Sequence, residues 1–171
     1  MRAFALALLT ACAAGSSGGP DPTARPSPPP MPEVSRVLDD WHDAAAKADE
    51  ERYFAHFAEG GVFMGTDATE RWTVPQFRAY AHPHFAKGKA WSFRSTRRDV
   101  TVRGDTAWFD EDLATPNLGP ARGSGVLVWE AKAWRIAHYN LTITIPNERM
   151  KEIKTLLEQP NPAPSPPPAD R

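Results

Sequence analysis

From Val34 to Leu157 the recurrence of apolar residues shifts from helical spacing to strict alternation, and the shift separates helices from strands. Val34, Val37, Leu38, Trp41 and Ala45 share one helical face, with Ser35 available as an N-cap and Asp39, Asp40 and Lys47 on the other sides. Asp49-Glu50-Glu51 then sets acids where a second helix and its dipole would begin. Tyr53, Phe54 and Phe57 continue its apolar face until Gly60-Gly61. Val62 to Thr66 reads as a short buried strand. Thr73-Val74-Pro75-Gln76 has the form of a capping box with proline in the first turn, and Phe77, Tyr80, Ala81, His84 and Phe85 follow on one face of a third helix. Pro83 should kink that helix or end it, because proline lacks the N–H donor and crowds the preceding turn.

Beyond Gly88 the period becomes two. Val100 and Val102 precede an Arg103-Gly104-Asp105 turn, with Trp108 on the returning strand. The Arg-Gly-Asp triplet is better explained by a glycine turn than by an adhesion motif. Two more strands, 122–130 and 133–145, flank a turn at Ala131-Lys132, and 150–157 closes with a short helix. Helices first and an antiparallel meander after them predict an α+β domain with helices on one face of a curved sheet.

Composition sets the boundaries of that domain. Seven of the 18 prolines lie between Pro20 and Pro32 and six between Pro160 and Pro168, whereas all six tryptophans lie between Trp41 and Trp134. The core therefore belongs to 34–158, about 125 residues without cysteine, enough to bury an apolar interior without disulfides. Residues 159–171 read as a proline-rich disordered tail.

At the N-terminus, Met1-Arg2 and the apolar run Ala3 to Leu9 have the form of a targeting segment, far shorter than the ~20 residues that span a bilayer. Leu9-Thr10-Ala11-Cys12 resembles the bacterial lipobox, with Cys12 the chain's one cysteine. The resemblance implies a lipoprotein signal peptide over 1–11, lipidation of Cys12 and a Gly/Ser/Pro-rich tether over 12–33. By that resemblance the domain is held in the bacterial cell envelope, and Ala13 after the cysteine points to the outer membrane, facing the periplasm. The alternative is an ordinary signal peptide cleaved near Ala14.

With 20 Lys+Arg against 21 Asp+Glu, the net charge of −1 provides no field for nucleic acid. Arg94, Arg97, Arg98 and Arg103 are interrupted by Asp99 and read as a solvated strand face. His82-Pro83-His84 has no third ligand at a recognisable spacing, so no metal is expected. The glycines from Gly119 to Gly125 precede a strand rather than a helix, so they do not form a phosphate loop. No cofactor is expected.

Three stretches, Phe63 to Trp72, Gly123 to Val128 and Trp134 to Leu141, resemble the SnoaL-like proteins of the nuclear transport factor 2-like superfamily. The resemblance covers about residues 34 to 153 and implies a cone of helices on a curved sheet, which commonly pairs into homodimers. It carries no named base across, and the superfamily holds both enzymes and binding domains, so activity is left open.

The candidate site is read from strand alternation. On 133–145, Trp134, Ile136, His138, Asn140 and Thr142 share one face, and His138 with Asn140 is expected to line the cone as orienting groups. On the neighbouring strand, Phe109 and Glu111 alternate with Trp108 and Asp110; an inward Glu111 would be desolvated, with its pKa raised towards that of a base. Asp67, Glu70 and Trp72 fall at the expected entrance. The leading function is binding of a small, largely apolar ligand by Trp72, Tyr80, Phe109, His138 and Asn140. The alternatives are an isomerase or hydro-lyase, with Glu111 or Asp67 as base and His138 or Tyr80 at the oxyanion, and a non-catalytic dimerising module.

Overall fold

The computed structural model describes residues 31–159. Cys12, the leader, most of the tether and nearly all of the proline-rich tail lie outside the described residues. Three helices come first: α1 (Met31–Ala46), α2 (Glu50–Ala55) and, after β1 (Phe57–Met64) and β2 (Arg71–Thr73), α3 (Val74–Ala86). Four long strands follow, β3 (Arg94–Arg103), β4 (Thr106–Ala114), β5 (Ala121–Glu130) and β6 (Ala133–Ile143), and then a 3-10 turn and α4 (Met150–Leu157). One unclosed, curved sheet has the order β2-β1-β6-β5-β4-β3, antiparallel except where β1 runs parallel to β6.

The local signals explain most of these elements. Asp49 caps α2 by accepting from the Arg52 N–H at 3.2 Å, and the Gln76 side chain accepts from the Thr73 N–H at 3.0 Å at the start of α3. The β3–β4 hairpin turns at Gly104, whose φ of +55° suits glycine. The β5–β6 hairpin turns on Ala131 and Lys132 with φ of 48° and 64°, a left-handed pair that non-glycine residues seldom adopt. Its flanking Trp129 and Trp134 oppose one another with ring centroids 5.6 Å apart.

Several boundaries differ from the sequence reading. α1 begins at Met31, inside the stretch expected to be tether. α2 stops at Ala55, and Phe57 opens β1, whose pairing with β6 is irregular between Phe57 and Val62 around Gly60-Gly61. A Cβ on Gly61 would lie 2.9 Å from the Ile136 carbonyl oxygen, so the glycines mark a bulge within a strand rather than a helix stop. α3 runs three residues past Pro83, its last turn held by the buried Ala81 and Phe85. α4 forms as expected but buries no residue, and Leu157 is 80% exposed.

The core lies between α1–α3 and the inner sheet face. Val34, Leu38, Trp41 and Ala45 of α1 meet Ala107, Phe109, Leu127, Ile136 and Tyr139 there. Aromatic residues dominate: Trp41 stacks on Tyr53 at 5.0 Å and meets the Tyr139 ring edge-on at 4.6 Å. No helix among the described residues is long and apolar enough to cross a membrane.

Candidate functional site

At one end of this core the helices and sheet leave a cavity of about 210 Å³. Trp72 forms part of its wall, parallel to Phe77 at 5.7 Å and stacked on Tyr80 at 4.6 Å. Phe63 lies against Phe77 at 3.9 Å, and Tyr139, Trp41, Trp91 and Leu141 are also part of the lining. Trp72 and Tyr80, both named as ligand-binding candidates, line this cavity, and Tyr80 is half exposed.

His138 and Asn140 do not line this cavity. β6 pairs Ile136 with Leu127 and His138 with Val126, so Ala137 is skipped as a bulge. The extra residue reverses the alternation: Trp134 and Ile136 face inward before it, Tyr139 and Leu141 after it. Tyr139 and Leu141 take the cavity positions, while Asn140 donates to the Thr142 hydroxyl at 3.2 Å. Phe109 is buried behind the wall, 6.1 Å from the Tyr139 ring, and does not reach the cavity.

Asp67 also stays out of the cavity. Its carboxylate accepts from the Thr69 hydroxyl at 2.6 Å and the Thr69 N–H at 2.8 Å, closing the turn before β2. Those hydrogen bonds hold its pKa below the ordinary value. The carboxylate on the cavity wall is that of Glu70, which accepts from the Asp67 N–H at 3.2 Å.

Glu111 points inward and is fully buried, as alternation on β4 requires, but it serves a different assembly. One oxygen lies 2.7 Å from His42 Nε2 and the other 2.8 Å from Arg98 Nε. Arg98 continues to Asp39 at 2.8 Å and donates to the Ser35 carbonyl at 3.0 Å, fastening α1 to β3 and β4. Burial alone would raise the Glu111 pKa; the hydrogen bond and charge of His42, and then Arg98, bring it below the ordinary value. The expectation of a raised pKa is therefore reversed by partners that the sequence reading did not supply. Arg98, read as part of a solvated face, has a side chain only 8% exposed because it shares a β3 face with Val100 and Val102. His42 sits one turn after Leu38 on the buried side of α1, a signal that helical periodicity carried and the reading passed over.

Two of the lining residues carry buried polar atoms without partners. Trp41 Nε1 and the Tyr139 hydroxyl are buried without a hydrogen bond. Burial raises the pKa of Tyr53 and Tyr139 well above the ordinary value, so both hydroxyls remain protonated donors. His82 and His84, the other expected non-ligands, separate: His82 contacts Glu50 at 2.8 Å and His84 joins the cavity wall.

Helices packed on an open, curved sheet give this chain the nuclear transport factor 2-like fold. The chain belongs to the SnoaL-like domain family, which matches residues 34–146. Among solved structures it is similar to a nuclear transport factor 2-like protein of unknown function from Pseudomonas putida KT2440, with TM-score 0.58 and 14% identity over 68% of this chain and 88% of that one. It is also similar to a function-unknown protein from Mycobacterium tuberculosis, with TM-score 0.59 and 21% identity over 70% and 74% of the two chains. A third similar structure is a dehydratase candidate from Streptomyces avermitilis, with TM-score 0.55 and 15% identity over 67% and 96%. No curated protein matches the chain.

Proposed function

We propose that this is an envelope-anchored SnoaL-like domain that binds a small, flat, largely apolar molecule in its aromatic cavity. The observation that carries the reading is the cavity itself: stacked Trp72, Phe77 and Phe63 beside Tyr139 and Trp41, the last of which has a buried Nε1 without a hydrogen-bond partner. Because an indole N–H only donates, and protonated phenols donate too, the complementary ligand carries an oxygen acceptor at its buried end. Turnover by an isomerase or hydro-lyase has less support, since Glu111 is held by two cationic or N–H partners and Asp67 closes a turn.

Naphthalene-sized ketones such as 1-tetralone are suitable probes. Saturation at 100 times Kd should raise unfolding stability by about 2.7 kcal/mol, and Leu141→Trp, which fills the cavity, should abolish the gain. If no apolar carbonyl probe stabilises the wild-type chain, or if Leu141→Trp leaves the gain intact, the reading is wrong.

The anchor is a separate part of the proposal, supported by Leu9-Thr10-Ala11-Cys12 and the proline-rich stretch that follows. Metabolic palmitate labelling in a bacterial host should mark the wild-type chain and not Cys12→Ala. Fractionation should place the labelled chain with the outer membrane. Pairing into a homodimer is part of the same reading and is tested by sedimentation.

A further inference from the structure

A second cavity of about 290 Å³ lies between α1 and the start of β3. Phe93 is part of its wall and also part of the aromatic cavity's, and His42, Arg94, Ser95, Asp39 and Asp43 line the rest. His42 is the one of these backed by a fully buried group. Its Nε2 lies 2.7 Å from Glu111 Oε1, and Arg98 takes the other carboxylate oxygen.

This arrangement dictates a proton position. Arginine only donates, and an ionised carboxylate only accepts. Glu111 is held ionised by His42 and Arg98 against the cost of its burial. Nε2 must therefore carry the hydrogen it shares with Glu111 whether the ring is charged or neutral, and it is in the neutral form that Nδ1 is left with its lone pair. The charged groups around the pair are Asp39 and Asp43 on α1, Arg94 and Arg98 on β3 and Glu111 on β4, with the Tyr139 hydroxyl of β6 close by. Asp39 pairs with Arg98, and Asp43 with Lys47 and Arg52, so neither offers a lone carboxylate to a cation.

We propose that this cavity is a second ligand site, selective for aromatic hydroxyl compounds, in which His42 Nδ1 accepts the ligand's O–H. A phenol matches the three features present. Its hydroxyl donates to Nδ1, its oxygen lone pairs accept from the Arg94 guanidinium, and its ring lies against Phe93, which is 6.2 Å from the His42 ring. An ether or hydrocarbon of the same shape offers no donor for Nδ1. The site does not depend on ligand binding in the aromatic cavity.

The test uses the full chain with p-cresol and 4-methylanisole, which differ by the hydroxyl hydrogen. Ring 15N resonances of His42, recorded where the ring is neutral, should show hydrogen on Nε2, and p-cresol should shift the Nδ1 signal. p-Cresol should bind up to about tenfold more tightly than 4-methylanisole, the worth of one hydrogen bond. Both results should persist in Leu141→Trp, which separates this site from the aromatic cavity. Glu111→Gln supplies the sharper arm. Arg98 requires the amide oxygen, so the amide N–H faces His42 Nε2, moves the ring hydrogen to Nδ1 and should abolish the preference, since phenol and ether oxygens both accept from an N–H. Should Glu111→Gln fail to fold, the wild-type tautomer and the affinity ratio decide alone. Hydrogen on Nδ1 in the wild type, equal affinities for the two probes, or an unmoved His42 ring would each overturn the proposal.

Discussion

Replacing Glu111 by alanine is expected to destabilise the domain by about 3–5 kcal/mol, measured by urea unfolding. The carboxylate is fully buried and satisfies His42 and Arg98 at once. Removing it leaves a guanidinium inside the protein with Asp39 and the Ser35 carbonyl as its remaining partners, and leaves an imidazole N–H with none of its present bonding. The loss should spread to the α1 attachment, because Arg98 joins that helix to the sheet through the same network. Glu111→Gln should cost less, since the amide retains one acceptor and one donor of nearly the same shape.

The pH dependence follows from the direction of the shift. Glu111 titrates below its ordinary 4.5 when folded, so between the two values the unfolded chain binds more protons. The contribution to stability is complete above the unfolded value and is lost as pH falls through the folded one. Asp40, Asp43 and Asp112 are also lowered, so the acid arm belongs to several groups. The difference between wild type and Glu111→Gln isolates the buried carboxylate, and this difference should shrink on acidification. A difference that stays constant down to the acid transition would show that Glu111 is not held ionised.

The buried network shows where the sequence was readable and where it was not. Alternation on β4 places Ala107, Phe109, Glu111 and Leu113 inward without exception, because the strand is regular. Alternation on β6 fails halfway along, since one unpaired residue reverses every later side chain and nothing in the hydropathy pattern marks Ala137 as that residue. Trp72 and Tyr80 reach the cavity wall through local facts: Trp72 follows the first strand, and Tyr80 lies on the apolar face of α3. Trp41 and Tyr53 were read only as apolar helix faces and Tyr139 on the strand face opposite the expected pocket, and the structure makes all three cavity walls; whether a core aromatic borders empty space depends on how distant elements meet. The sign of the Glu111 shift was hidden for a similar reason. Desolvation can be anticipated from one strand, but its partners come from α1 and β3, 69 and 13 residues away.

Gly125→Ala is expected to cost about 3 kcal/mol, at the upper end of overpacking, and to disturb the facing of β6. Gly125 pairs with Phe109 on one side and Tyr139 on the other, one residue before the register shift. A Cβ there would run into the His138 carbonyl oxygen and lie 3.0 Å from Phe109 Cε1. The carbonyl belongs to the backbone of the bulged strand and cannot swing aside as a side-chain tip could. Relief requires β6 to move away from β5 or the bulge to slide, and either would draw Tyr139 and Leu141 from the cavity. Gly119→Ala is the control: its φ of +71° disfavours alanine, but no atom stands within 4 Å of the added carbon, so about 1 kcal/mol is expected. Urea midpoints of the two variants, with tryptophan fluorescence as the reporter for Trp41, Trp72 and Trp91, separate the effects. If Gly125→Ala costs no more than Gly119→Ala, the close approach of β5 and β6 does not fix the bulge, and the inward position of Tyr139 must be maintained by its contacts with Trp41 and Phe63 instead.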